Sequence, residues 1–571
     1  MKKDKLFMIF MYIYLTILLF FSTNSYIINS ASIIFLVINV IYLIINRVKI
    51  DKKDILFLLI PLSYLLILIF RLNKTSFMSN IFAITCNASI ALTIINFRRI
   101  IDNNKINSFL KVLQLITIFS FIVSFVSYQN QDFFSNIGIL SPFTDTYYNS
   151  IDRFYGVLCY CNASAVLFLI SIFITLLKDN KKVFDYLMLY ISFIGFSYAF
   201  SKMITICFII VLFIYVVYNL IYKKYEKVKL ILWDVISILI PVCLSITTYR
   251  TYLINYNLIE FITNNLIIFV IYYILITYIL KNKYIKLITS LLIVIILTYL
   301  LFKPINIPLK INNVHSTKYT SDNYYITELF LKPSKEYTIN IDYEVYGGNV
   351  HFVLEKGCVN NNNSFTSFDY ISINGEFKVT GSSDAEYYLL SIRGLDENTN
   401  IKINKITVDG HEQSINTFIV PYQITRQLEL TKYDGESVSH RFDYYKDSLK
   451  YLKNTNYIYG RGVDTFKYYR LIATDNNYNE KNPHSILFEY WLDIGIIGPI
   501  YLLIIYFSGI YLIFKNRKNS KSVIYFSLFV IICMFSVLDF YMHIYGMRLL
   551  MLLFYIILIC IDEKKMMKEK V

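Results

Sequence analysis

The run M-I-T-I-C-F-I-I-V-L-F-I-Y-V-V-Y-N-L, residues 203–220, decides what kind of molecule this is. It carries no charge over eighteen residues. Wound as an α-helix it reaches about 27 Å, close to the roughly 30 Å hydrocarbon core of a bilayer. Comparable runs stand at 6–22, 108–127 and 284–301. Across 571 residues, 56% are hydrophobic and only 17% charged, with a mean hydropathy of +0.50. A soluble protein of this size does not need that much apolar surface. The expected fold is a polytopic all-α membrane protein.

Working outward, spans are expected near 6–22, 27–45, 54–70, 78–96, 108–127, 156–177, 183–199, 202–222, 229–248, 258–279 and 284–301, then 485–514, 523–540 and 547–561. That is about fourteen transmembrane helices, within a range of 12–14. The opening M-K-K-D-K-L-F-M-I-F resembles a signal-peptide start, but no small-residue cleavage site follows, so it reads as a retained first span. Alternate loops are rich in Lys and Arg: Arg47, Lys49, Lys52 and Lys53; Arg98, Arg99 and Lys105; Lys178, Lys181 and Lys182; Lys223, Lys224, Lys227 and Lys229; Lys515, Arg517, Lys518 and Lys521. The intervening loops hold few, among them Arg71, Lys74, Arg250 and Arg548. By the positive-inside rule both termini are cytoplasmic and 302–484 faces outward. The same rule accounts for the net charge of +15 without invoking nucleic acid. The eight cysteines show no paired spacing; Cys159, Cys161 and Cys358 look like small hydrophobes or isolated thiols.

The chain therefore divides into N-terminal helices (1–301), an extracytoplasmic strand-rich domain (302–436), an amphipathic helix with the candidate loop (437–484), and C-terminal helices with a tail (485–571). Within the second, runs at 324–330, 336–345, 351–355, 375–379, 386–392 and 401–408 alternate polar and apolar residues between Gly, Asn and Ser turns. Period-two alternation is the mark of antiparallel strands, here a small β-sandwich-like domain. It reads first as a packed spacer or cap over the membrane part, and second as a carbohydrate-binding module. From 437 to 452 the period lengthens, setting Phe442, Tyr445, Leu449 and Leu452 on one helical side with Ser437 or Ser439 as caps.

No pair among the six histidines has metal-ligand spacing, and no phosphate loop, nucleotide-binding glycine pattern or G-x-S-x-G elbow occurs. What remains is polar residues at membrane depth, where an ionisable group is costly and usually functional. These are Arg153, Asn162, Lys202, Arg441, His484, Glu489 and Asp493. Three cations at one boundary can hold a phosphate or pyrophosphate, and a histidine can take a proton at neutral pH. Each also has a plain reading: Arg153 snorkels, Lys202 is a short-loop lysine, His484 is a hydrogen-bonded surface group. Glu489 and Asp493, four apart on one face, line a polar cavity or pair with a cation.

The order of these residues adds something. H484-S-I-L-F-E-Y-W-L-D493-I-G495-I-I-G498 resembles the histidine-to-acid-to-glycine motif of the bacterial O-antigen ligase and polymerase family. Arg441 in S-H-R-F-D-Y-Y-K-D-S-L and the G460-R-G462-V-D-T-F turn resemble that family's arginine helix and glycine turn. R153-F-Y-G with Asn162, and F-S-K202, resemble two earlier elements. The chain departs from the pattern at Ser485, where the family usually has Asn, at Lys202, where it has Arg, and in its eleven earlier spans.

The resemblance implies an integral-membrane glycosyltransferase that needs no metal or other cofactor. Its donor would be a glycan on undecaprenyl diphosphate and its acceptor a glycan or other hydroxyl-bearing molecule, met at the lipid bilayer. His484 would be the catalytic base and Arg441 the catalytic cation. Arg153, Lys202, Asn162 and Ser485 would bind substrate, and Asp493, Glu489, Gly460, Gly462, Gly495 and Gly498 would support the site. Association with a flippase or a chain-length regulator goes with such a role. Two other readings stay open: a lipid-linked oligosaccharide flippase, and a non-enzymatic membrane protein with an outward carbohydrate-binding domain.

Overall fold

In a computed structural model the described residues are, with short gaps, 2–129, 154–277, 305–314, 324–358, 370–413, 417–418, 443–466 and 483–568, with a few between 288 and 295. The helices are α1 (Lys2–Phe20), α2 (Ser25–Ile45), α3 (Ile55–Ile69), α4 (Phe77–Ile100) and α5 (Asn103–Gln129). Next come α6 (Cys161–Leu176), α7 (Val183–Tyr198), α8 (Lys202–Ile221), α9 (Tyr225–Asn255) and α10 (Leu258–Thr277). After the strands follow α11 (443–453), α12 (Ile486–Ile494), α13 (Ile497–Lys515), α14 (Ser520–Leu538) and α15 (Tyr545–Lys568). Among the described residues, α2, α4, α5, α8, α9 and α10 are long and apolar enough to cross a membrane, and shorter apolar helices accompany them. This is the build of a polytopic helical membrane protein. The expected run 284–301 lies largely outside the described residues.

One compact unit comprises 1–144, 154–231 and 430–571. Its centre is α6, buried at every position. Small and hydroxylated residues bring neighbours close: Ser171 and Ser192 share a 2.8 Å hydrogen bond, and Gly195 of α7 sits on the Phe168 ring. Gln114 of α5 donates to Thr175 at 2.7 Å. Two of the basic loops meet at one end, with acids among them. Arg98 meets Asp51 at 3.0 Å and Asp54 at 2.8 Å, and Arg99 bridges the same two carboxylates. Burial alone would raise the Asp51 pKa, but the two guanidiniums hold it well below the usual carboxylate range. Cys560 of α15 reaches the Arg98 carbonyl at 4.0 Å, so the end of α15 lies there too.

The run 485–514 is not the single helix expected of it. It is α12 and α13, separated at Gly495, whose φ of +77° an L side chain adopts only with strain. A Cβ on Gly498 would stand 2.6 Å from the Tyr490 Cβ. Eight residues apart in a straight helix those positions would be about 12 Å from one another, so the chain turns back on itself.

A second compact unit holds 145–153 and 232–429. Its strands are β1 (Ile305–Asn306), β2 (Leu309–Val314), β3 (Tyr324–Leu329), β4 (Glu336–Tyr346), β5 (Val350–Cys358) and β6 (Tyr370–Ile373). They continue with β7 (Glu376–Thr380), β8 (Ala385–Gly394), β9 (Thr399–Val408), β10 (His411–Glu412) and β11 (Thr417–Phe418). One antiparallel sheet runs β10-β9-β4-β7 with β2 also on β9, and another runs β3-β8-β5-β6. Their alternating apolar residues meet in one core: Ile339, Ile341, Ile401 and Ile403 from the first, Phe352, Leu354, Leu390 and Ile392 from the second. The short β1–β11 pair, Ile305 opposite Phe418, joins the two ends of the strand region.

On the outer face of the first sheet Glu344 accepts from Lys402 (2.7 Å), the Tyr346 hydroxyl (2.5 Å) and Asn404 (3.1 Å). The bond from Lys402, then those from Tyr346 and Asn404, bring the Glu344 pKa down from 4.5 to about 2. A carboxyl whose pKa is depressed on folding contributes stability above its unfolded value and loses it as pH falls through the folded one. Thermal unfolding of the full chain is therefore expected to show a component of the strand region weakening between about pH 4.5 and about pH 2. Glu344→Gln should remove that component while leaving unfolding at lower pH unchanged; an unaltered pH profile counts against it.

Candidate functional site

The candidate site is built around α12, nine residues held between two backbone reversals. His484 stands before it with φ +51°, and Gly495 ends it. Ser485 takes the N-cap position with extended backbone; its carbonyl receives the Glu489 amide at 3.0 Å, while its side chain makes no cap hydrogen bond.

α11 closes over this start. The Tyr444 ring stacks on the His484 imidazole, centroids 5.3 Å apart and planes 18° from parallel. The Tyr445 hydroxyl donates to the His484 carbonyl at 3.2 Å, and its ring stacks on Phe488. The amphipathic helix expected here is present, but its buried side is Tyr444, Ser448, Tyr451 and Leu452, packed with Phe466 and Leu492. Leu449, assigned to the apolar stripe from the sequence, is 45% exposed. The true face is rotated by about one residue, or 100°. The reason is that Tyr444 is anchored by a ring partner and Ser448 by the Tyr444 carbonyl at 2.7 Å. Phe442 and the cap candidates Ser437 and Ser439 lie outside the described residues.

The glycine turn closes the other end. The last carbonyls of a helix have no partner within it. Here the Arg461 amide donates to Leu492 O and the Gly462 amide to Asp493 O, each at 3.0 Å, while Ile496 N reaches Ile458 O at 3.2 Å. Such contact requires a bare backbone: a Cβ on Gly460 would lie 2.0 Å from the Asp493 carbonyl oxygen. Asn80 of α4 then accepts from the Val463 amide at 3.2 Å.

The two acids of α12 go to different partners. Glu489 pairs with Arg548 of α15 at 3.1 Å, both side chains being 13% exposed or less. Arg548 also donates to Asn87 of α4 at 3.4 Å, with the Tyr490 and Tyr545 rings each 5.0 Å from its guanidinium carbon. Asp493, 2% exposed, accepts from the Tyr64 hydroxyl of α3 at 3.2 Å. A cavity of about 20 Å³, bordered by Asn87, Tyr490, Tyr501 and Arg548, lies against this cluster.

His484, Ser485, Glu489, Asp493 and Gly460, Gly462, Gly495 and Gly498 thus form one assembly. Asn162 lies in the first turn of α6, buried, donating to the Tyr160 hydroxyl at 2.8 Å. Lys202 opens α8, one residue after Ser201, whose hydroxyl accepts from Ile204 N at 3.4 Å; the lysine side chain is outside the described set. These two starts share one end of the bundle, since Phe154 N bonds the Tyr198 carbonyl at the close of α7. Arg153 and Arg441 lie outside the described residues.

Sequence reasoning left out Tyr64, Asn87, Tyr444 and Arg548 as members of the assembly. Arg548 carried a signal: it stands at the head of the last apolar run, and Glu489 needed a cation. No family model, curated protein or solved structure matches the chain.

If the 458–462 segment is what closes α12, Gly460→Ala should cost more than an ordinary surface substitution, on the order of 1–3 kcal/mol or more. The measurement is thermal unfolding of the detergent-extracted protein. An unfolding temperature equal to that of the wild type overturns this account of the joint.

Proposed function

We propose that this protein is an integral-membrane glycosyltransferase of the O-antigen ligase and polymerase type, working on a lipid-linked glycan at the outer face of a bacterial plasma membrane. The observation that carries this reading is the seating of His484. Among the described residues, five other than glycine have positive φ; Lys223 and His484 each stand two residues before a helix, and His484 is the histidine among the five, with a tyrosine ring stacked on it. A sparsely populated backbone conformation persists only where its surroundings impose it, and such positions concentrate at functional sites. Here a stacked tyrosine, a tyrosine hydroxyl and a capped nine-residue helix do the imposing.

The finer topology belongs to this reading: about fourteen spans, both termini cytoplasmic, and the paired sheets forming an outward β-sandwich. The acceptor hydroxyl gives its proton to the His484 imidazole as its oxygen attacks the anomeric carbon of the donor sugar. The bond from that carbon to the diphosphate oxygen breaks, and undecaprenyl diphosphate leaves with the electron pair. Direct displacement inverts the anomeric configuration. Arg441, which stands two residues before α11, with Arg153 and Lys202, would neutralise the diphosphate as it departs. Asn162 and Ser485 would contact substrate. Tyr444, three residues after Arg441, touches His484, which supports a base and a diphosphate-binding arginine acting together.

The test is reconstitution with an undecaprenyl-diphosphate-linked glycan and mass analysis of the products. The wild type should yield either a ladder of repeats, a polymerase, or a single transfer to another acceptor, a ligase. His484→Ala should cut transfer by about 10²–10⁴-fold, the usual range for loss of a general base, with protein level unchanged. Intact donor moved to the opposite leaflet without new glycosidic bonds would make the protein a flippase and overturn the reading.

A further inference from the structure

We propose that Arg548 is a positioning residue, fixed inside the bundle, that pins α12 through Glu489 and so holds His484 in place. Nine residues between two reversals do not make a helix that is stable alone, because the cost of nucleation is not repaid over so short a length. Lateral contacts must place it. At its start these are Tyr444 and Tyr445, and at its end the amides of 461 and 462. Along its flank the ion pair to Arg548 is the contact that reaches another bundle helix with charge on both sides.

Arg548 is well suited to be the fixed partner. It is 5% exposed and is held by Asn87 and the ring face of Tyr545, while the ring of Tyr490 gives it a second contact on α12 itself. A guanidinium over aromatic faces is stabilised there, and a buried charge deprived of its counter-ion is strongly destabilising. Glu489 lies in the first turn of α12, three residues or about 4.5 Å along the axis from Ile486, and His484 stands two residues before that start, so a shift of the helix carries the imidazole with it. A misplacement of 1 Å at a reacting group costs about 100-fold in rate.

The cavity beside Arg548 separates positioning from substrate binding. At about 20 Å³ it has room for about one water molecule, not for a sugar ring or a diphosphate. Arg548 therefore acts through α12. Its catalytic consequence rests on the reading of His484 as the base, whereas the pinning of α12 does not.

Two readouts keep these apart. Hydrogen–deuterium exchange of the amides 486–494, in the full chain in detergent or nanodiscs, reports the pinning whatever the activity. Glycan transfer with separate kcat and donor KM reports the consequence. Arg548→Gln should speed exchange in 486–494 by at least about 10-fold and lower kcat by about 10–100-fold, with donor KM changed less than about threefold. Arg548→Gln with Glu489→Gln removes both charges together, and should fold and recover part of the kcat lost by Arg548→Gln alone. If the single variant does not accumulate, the double variant still tests the idea: it should exchange faster than the wild type over 486–494. Unchanged exchange in both variants overturns the pinning. A raised donor KM with kcat intact overturns positioning in favour of direct substrate contact. No transfer by the wild type, with faster exchange in the variants, sinks the proposed function and leaves the pin standing.

Discussion

A helix broken among buried residues has to find hydrogen-bond partners for the carbonyls it exposes, and the candidate site depends on how that is done. Where α12 stops, Leu492 and Asp493 are buried and their carbonyls would be orphaned. The segment 458–462 supplies the amides of Arg461 and Gly462 and takes back a bond from Ile496. An unsatisfied group there would cost about 1–3 kcal/mol or more, so the turn and the break need each other. Gly460 and Gly495 are the two places where the exchange demands a missing side chain, one for lack of space and one for a positive φ as well.

That joint explains why four glycines spread over 460–498 matter without any of them meeting a reactant. They bring the loop backbone onto the helix end, and Gly498 lets α13 return along Tyr490. The charged groups divide in a similar way between the ends of the bundle. Near Arg98 two arginines face two carboxylates in a network partly open to solvent, with Asp51 41% exposed at the side chain. At α12 a single pair sits among tyrosine rings with almost no exposure. The first can rearrange with its surroundings; the second has little freedom to do so.

Much of the helical frame was legible because apolar runs of bilayer length have few alternative uses. The six alternating runs of the strand region were legible for the matching reason: period two puts Ile339, Ile341, Ile401 and Ile403 on one face. The α11 face was misread by one residue because tyrosine serves on either side of a helix, and which one is buried is decided by His484 and Phe466. The break at 495 was visible only as the ambiguous string G-I-I-G, since the partner that makes it tolerable is a loop some thirty residues earlier. Arg548 was hidden by the same kind of distance, 59 residues from Glu489.

Glu489 and Asp493 show most clearly what a sequence cannot distinguish. Both are acids, one turn apart on one short helix, and both were natural candidates for chemistry beside a histidine. Yet one meets a fixed cation of α15 and the other a tyrosine hydroxyl of α3. Asp493 also lies in the last turn of α12, seven residues or about 10 Å along the axis from Ile486, at the end away from His484. The ion pair ties the flank of α12 to α15, and the hydrogen bond from Tyr64 ties its last turn to α3. Neither acid needs to touch a substrate for the histidine at the head of the helix to depend on both.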